Sequence, residues 1–174
     1  MVVTATFRLL YVFVVREHAT RRILHANVTP HPTAAWTLQQ LRAAIPADHT
    51  HQCLLHDRDS IFRHLGLRVF KTAVRTPQAN ALCERLIGML RRKCLDFVLR
   101  CTEHHLRCIV HAWVPYYNER RPHMALGPSM PQPPPPLPVV LQAHRDRLPE
   151  HLYVVVRPIL GGLHHDCRLE EQAA

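Results

Sequence analysis

The sequence predicts a mixed α/β domain followed by a short, separate tail, and three observations carry that reading. Segments of strand and helix character come in the order strand, strand, helix, strand, strand, helix, as a mixed sheet covered by helices requires. Leu82, Leu86, Leu90 and Cys94 recur every four residues, the apolar stripe of a helix packed on a sheet. Seven prolines crowd positions 128–138, a density that excludes regular structure. The 174-residue length suits one domain of about 100 to 150 residues plus a tail. The expected boundaries are a domain over 1–127, a Pro-rich linker over 128–138 and a tail over 139–174.

Residues 7–15, FRLLYVFVV, are rich in aromatic and β-branched types, and after a polar turn from Glu17 to Arg21 a second such run, Ile23 to Val28, returns. That pattern predicts a β-hairpin. Pro30 and Pro32 stop the second strand. Thr33 is placed to cap a helix whose face is Ala34, Leu38, Leu41 and Ile45, and Pro46 ends it. Next, Cys53-Leu54-Leu55 is a short apolar run bounded by charge, a buried strand that delivers Asp57 at its end. Active-site carboxylates of α/β folds often sit there. A further strand is expected from Arg68 to Thr72, then a loop with Pro77 and a helix capped by Asn80. Glu84 lies half a turn from Leu82, off the apolar stripe, and can face a cleft.

Thr102 can cap another helix, with Leu106, Ile109, Val110, Trp113 and Tyr117 on one stripe. Helical spacing makes these core residues and not a base-stacking platform. The following NERRPHMALGP is turn-like, and Arg120, Arg121 and His123 within it are donors suited to phosphate oxygens. The bland alternative is a solvated turn. In the tail, Leu152 to Ile159 and His164 to Leu169 flank Gly161-Gly162, a small hairpin pattern.

Composition narrows the partners. Hydrophobic residues make up 47%, and no apolar run approaches the roughly 20 residues of a membrane span. Leu9 to Val15, the longest, is strand-sized and lacks a basic leader and cleavage site, so a cytoplasmic protein without a membrane partner is expected. Lys plus Arg number 22 against 13 Asp plus Glu, a net charge of +9, with 15 histidines besides. Such a balance favours a polyanion, most simply nucleic acid, although a generally basic proteome gives the same number. The six cysteines contain no C-x-x-C pair. His49, His51 and Cys53 alternate along one strand face as zinc ligands would, but no fourth ligand stands nearby.

A strand-end aspartate and a helix-borne glutamate in a basic chain suggest carboxylates that share Mg²⁺ over a phosphodiester. The runs Pro77-Gln78-Ala79-Asn80, Glu84-Arg85, Tyr117-Asn118 and Arg121-Pro122-His123 resemble the integrase catalytic core of bacterial insertion-sequence transposases and retroviral integrases. The resemblance implies an RNase H-like mixed sheet flanked by helices and a DDE-type enzyme of DNA integration and recombination, with Asp57 and Glu84 as catalytic residues holding Mg²⁺ or Mn²⁺. Asp57 is preferred to Asp59 because Phe62 then keeps the family offset from aspartate to phenylalanine. A DNA-binding surface is expected over Lys71, Arg75, Asn80, Arg85, Arg91, Arg92, Lys93, Arg120, Arg121 and His123.

Two departures bear on activity. The family's first catalytic aspartate belongs on an opening strand that would precede Thr4, so that strand is expected to be missing or incomplete and the chain N-terminally truncated. Before His56 the carboxylates are Glu17, in the hairpin turn, and Asp48, after the first helix. In addition, 26 residues lie between Asp57 and Glu84, fewer than the family spacing, with the shortfall between Phe62 and Gly66. The expected protein is therefore a catalytically impaired integrase that needs an upstream polypeptide or a second copy to complete its site. The alternative is a non-catalytic, basic nucleic-acid-binding or assembly remnant.

Overall fold

A computed structural model describes residues 1–45, 53–56, 68–71, 77–127, 129–133 and 148–171. Ten regular elements run through them: β1 (Val2–Val3), β2 (Leu9–Arg16), β3 (Ile23–Thr29), α1 (Ala34–Ala44), β4 (Cys53–His56), β5 (Arg68–Lys71), α2 (Pro77–Lys93), α3 (Glu103–Glu119), β6 (Leu152–Ile159) and β7 (His164–Glu171). The fold is mixed α/β. Its described strands form three sheets, β1-β2-β3, β4-β5 and β6-β7: the last is the hairpin expected in the tail, while the first two divide strands that the element order placed in one mixed sheet. Chain contacts divide into two compact units, one of residues 1–15 and 24–107 and the other of residues 16–23 and 108–174.

In the first unit, β1 pairs antiparallel with β2, Val2 opposite Leu10 and Val3 opposite Leu9. The strand starts at Leu9, two residues later than predicted, because a tight turn intervenes. The Thr4 amide donates to the Arg8 carbonyl at 2.9 Å, the Phe7 amide donates to the Thr4 carbonyl at 3.0 Å, and the Thr4 hydroxyl accepts from the Arg8 amide at 3.0 Å. Phe7 takes the left-handed conformation that closes the turn (φ 58°) and is 90% exposed. Across the hairpin turn of the second unit the Glu17 amide donates to the Arg22 carbonyl at 2.8 Å.

Thr33 caps α1 as expected, its hydroxyl accepting from the Trp36 amide at 3.2 Å. The buried face differs from the predicted one. Thr37, Gln40, Leu41 and Ala44 are buried, whereas Ala34 is exposed and Leu38 and Ile45 are half-buried. Gln40 is inside because it has polar partners: its Oε1 lies 2.9 Å from His25 Nε2 and accepts from Asn27 Nδ2 at 2.7 Å. The same Asn27 accepts from Arg107 Nε at 3.1 Å, and Arg107 Nη2 donates to the Val28 carbonyl at 3.1 Å, so the end of β3 is fastened to the first turns of α3. Val15, Leu41 and Ala44 make an apolar cluster, with Phe13, Leu24, Ile45 and Leu54 packed against it.

Strands β4 and β5 run parallel, Cys53 opposite Arg68 through His56 opposite Lys71. Helix α2 begins at Pro77, three residues before the predicted cap, so Asn80 lies in its first turn. Proline suits that place, since its fixed φ is helical and its missing N–H would have no partner there. Leu86, Leu90 and Cys94 are buried at the predicted spacing, and Leu82 is half-buried. Thr102 caps α3 by accepting from the His105 amide at 3.1 Å. No helix of the described residues is long and apolar enough to cross a membrane.

In the second unit Ile23, Ile109, Val110, Trp113 and Tyr117 are buried. The tail runs form an antiparallel ribbon, Leu152 opposite Glu171 through Ile159 opposite His164. Its turn holds Leu160, Gly161 and Gly162 at positive φ, where glycine avoids the strain of a Cβ.

Candidate nucleic-acid interface

Helix α2 separates its two sides sharply. The side carrying Leu86, Leu90 and Cys94 is buried, while Glu84, Arg85, Arg91, Arg92 and Lys93 are exposed. Four cations and one carboxylate therefore face water on one element. Arg91, Arg92 and Lys93 fill its last turn, where they also complement the negative end of the helix dipole. Glu84 sits on the exposed side, as its offset from the stripe predicts. Its intended partner, Asp57, follows the last residue of β4 in sequence but lies outside the described residues, as do Asp59 and Arg75. Lys71 is the last residue of β5 and Asn80 is in the first turn of α2. The zinc ligands weighed above, His49 and His51, also lie outside the described residues.

The donor set bears on the implied metal. Among the described residues no group of three or more His, Cys, Asp or Glu side chains is placed to hold an ion. An exposed glutamate offers the hard oxygens that Mg²⁺ and Mn²⁺ prefer, so Glu84 fits as one ligand of a shared site, and the others must come from elsewhere.

A second cationic group follows α3, in the other compact unit. The side chain of Arg120 is 23% exposed, with Nε 3.2 Å from Asp166 Oδ1 of β7, and Arg121 is half-buried. His123, expected among the phosphate donors, is buried. It is 7% exposed, its ring stands edge-on to Tyr117 at 4.7 Å, and its amide donates to the Ser129 carbonyl at 2.8 Å. Burial pushes its pKa below the ordinary histidine range, the Arg121 guanidinium pushes the same way, and a hydrogen bond to the Tyr117 backbone opposes both. Burial likewise raises the Tyr117 phenol, against the lowering fields of Arg16, Arg121 and Arg21. Several guanidiniums thus reach this one corner of the second unit, around a histidine kept neutral.

Asn118 has a role that spacing alone did not reveal. Its Oδ1 accepts from the Ile23 amide at 2.9 Å and its Nδ2 donates to the Ile23 carbonyl at 2.9 Å. The carboxamide imitates a neighbouring strand and closes the first residue of β3 against the last turn of α3. Its own carbonyl accepts from the Gln132 amide at 2.8 Å, and Pro131 is buried, so residues 129–133 are tied down at the beginning of the proline-rich stretch. A buried residue 95 positions away cannot be paired with Ile23 by any local sequence rule. Arg168 and Asp166 of the ribbon were equally hidden, because their importance depends on a long-range contact with Arg120.

Comparison with known proteins finds a likeness in the part of the chain where α2, α3 and the following turn lie. Residues 65–131 match the family model described as integrase core domain, a stretch well under half of the chain. No curated protein and no solved structure matches the chain. Over residues 65–131, from before α2 to beyond the turn after α3, the chain is similar to an integrase core domain.

Proposed function

We propose that the chain acts on DNA as an integrase- or transposase-type protein, and that as it stands its strand-transfer chemistry is impaired. The family match over residues 65–131 is the observation that carries this reading. Glu84 on the exposed side of α2, beside Arg85 and ahead of Arg91, Arg92 and Lys93, is where such an enzyme needs a metal-binding carboxylate next to phosphate-binding cations. In this reading Asp57 and Glu84 hold Mg²⁺ or Mn²⁺, which supplies electrostatic stabilisation of the phosphodiester during attack. The cations at 85, 91, 92, 93, 120 and 121, with Lys71, Arg75 and Asn80, grip the backbone without reading bases.

Impairment follows from the carboxylate count. Strands β1 and β2 carry no Asp or Glu, and the carboxylates before His56 are Glu17 and Asp48. Two carboxylates neutralise two divalent ions poorly, and a shortened connection between Asp57 and Glu84 adds a register problem. About 1 Å of misplacement can cost roughly a hundredfold in rate. A non-catalytic nucleic-acid-binding module is the second reading, favoured by the same missing carboxylate.

The decisive assay is Mn²⁺- or Mg²⁺-dependent nicking of supercoiled DNA by the purified chain beside Asp57→Asn and Glu84→Gln. The expected result is salt-sensitive DNA binding with no nicking. Cleavage by the unaltered chain that both variants abolish would show a completed site and refute the impairment. Binding unchanged between 50 and about 200 mM salt would refute the phosphate-gripping surface.

A further inference from the structure

We propose that Arg120 and Arg168, bridged by the carboxylate of Asp166, form a paired-guanidinium seat for a backbone phosphate of nucleic acid, carried by the C-terminal ribbon. The inference rests on the nucleic-acid reading above and adds to it Asp166 and Arg168, two residues outside the integrase match.

The ribbon is held on the end of α3 by two contacts. The rings of Tyr116 and His164 stack at 4.3 Å with 9° between planes. Two residues on, Asp166 meets Arg120 Nε at 3.2 Å through Oδ1 and accepts from Arg168 Nε at 2.7 Å through Oδ2. His164, Asp166 and Arg168 alternate on β7, so all three project from one face of the ribbon. The Asp166 side chain is 6% exposed, and a carboxylate is buried that deeply only when its charge is met by partners.

What the carboxylate does to its partners matters more than what they do for it. Arg168 gives Asp166 its Nε–H, Arg120 pairs with the same carboxylate through Nε at 3.2 Å, and each guanidinium has further N–H donors on its terminal nitrogens. The Arg168 side chain remains 43% exposed. Two forks are thereby fixed beside one another before any ligand arrives, which removes most of the ordering cost that a mobile arginine meets on binding. Against two guanidiniums stand Asp166 and Glu119, whose Oε2 lies 3.8 Å from Arg120 Nη2. At 43% exposure and that distance Glu119 is a solvated neighbour that can swing away from an incoming anion. A tetrahedral phosphodiester, with two terminal oxygens, matches paired forks.

The test is fluorescence anisotropy of a labelled DNA duplex with the full chain, titrated at several salt concentrations. Arg168→Gln should weaken binding roughly eightfold near 0.1 M salt and flatten the log–log salt slope by about 0.9, the signature of one lost phosphate contact. Asp166→Asn should also weaken binding, although it makes the chain more positive, because the forks lose their common anchor. Arg168→Lys keeps the charge but not the fork, and should retain the slope while losing a few-fold in affinity. Unchanged binding in Arg168→Gln or Arg168→Lys would reduce the triad to a staple for the ribbon, and tighter binding by Asp166→Asn would mean that Asp166 masks Arg120. Absence of salt-dependent binding in the unaltered chain would instead sink the nucleic-acid reading, and the seat with it.

Discussion

Replacing Asn118 by Ala should destabilise the protein out of proportion to the size of the change. Ile23 is 2% exposed and Asn118 is 7% exposed, so water cannot replace the carboxamide at either of its two 2.9 Å bonds. Antiparallel strand residues alternate in direction, and Ile23 sends both its N–H and its C=O towards Asn118. Truncation would leave both groups buried and unpaired, at about 1–3 kcal/mol each. The expected loss is roughly 2–6 kcal/mol against a total stability of about 5–15 kcal/mol. With a urea slope of about 2 kcal/mol per M, the unfolding midpoint should fall by about 1–3 M. Fluorescence reports the change through Trp113, which is 1% exposed in the same unit. Asn118→Asp should not rescue it, since a carboxylate still accepts from the Ile23 amide but faces the Ile23 carbonyl without a proton to donate. A midpoint shift below about 0.3 M in Asn118→Ala would refute the claim that this side chain serves as a strand partner.

Cys94 is fully buried, and desolvation pushes its thiol up to about 11, whereas Cys83, Cys101, Cys108 and Cys167 are exposed. Iodoacetamide at pH 8 should alkylate those four in the native protein and reach Cys94 only after denaturation, as peptide mass spectrometry would read directly. Gly88 lies inside α2, where the atoms nearest an added Cβ are those of the Arg92 guanidinium, the first at 3.1 Å. Because that is the far end of a flexible side chain, Gly88→Ala should raise stability by roughly 0.5–1 kcal/mol in urea, and a loss would mean that Arg92 cannot move. His123 has a folded pKa below its ordinary 6.5, so protonation favours the unfolded chain. Its contribution is complete above pH 6.5 and declines as pH falls below that value, and the difference in stability between the parent and His123→Gln should shrink over the same window.

Local rules read most elements correctly and failed where a tertiary contact overrode them. Thr33 and Thr102 cap their helices because an N-cap needs only a hydroxyl and a free amide three residues on, both fixed by sequence. The stripe Leu86, Leu90 and Cys94 was legible for the same reason, since helical geometry alone sets which residues share a face. In α1 the rule that apolar residues turn inward missed Gln40, whose burial depends on His25 and Asn27 from another element. Asn80 looked like a cap, but Pro77 already satisfies the first turn, so α2 starts there. The site was legible only on α2. Glu84 and its basic neighbours follow from periodicity, while Asp166 and Arg168 become meaningful only when a ribbon some 50 residues downstream is laid against Arg120.

The residues that carried the family resemblance divide into two kinds when their surroundings are compared. Tyr117, Asn118 and His123 are all buried: Tyr117 packs against Trp113 at 5.0 Å and against the His123 ring, and Asn118 binds Ile23. They hold the end of α3, the start of β3 and the following turn in register, which is work any descendant of the fold requires whether or not it cleaves DNA. Glu84 and Arg85 are exposed on α2. A chain that lost its chemistry would keep the first kind, because losing a buried hydrogen-bonded residue costs stability, and would be free to lose the second. The resemblance carried by Tyr117-Asn118 and His123 therefore speaks to fold, and under the proposed reading Asp57 and Glu84 are the residues that speak to reaction.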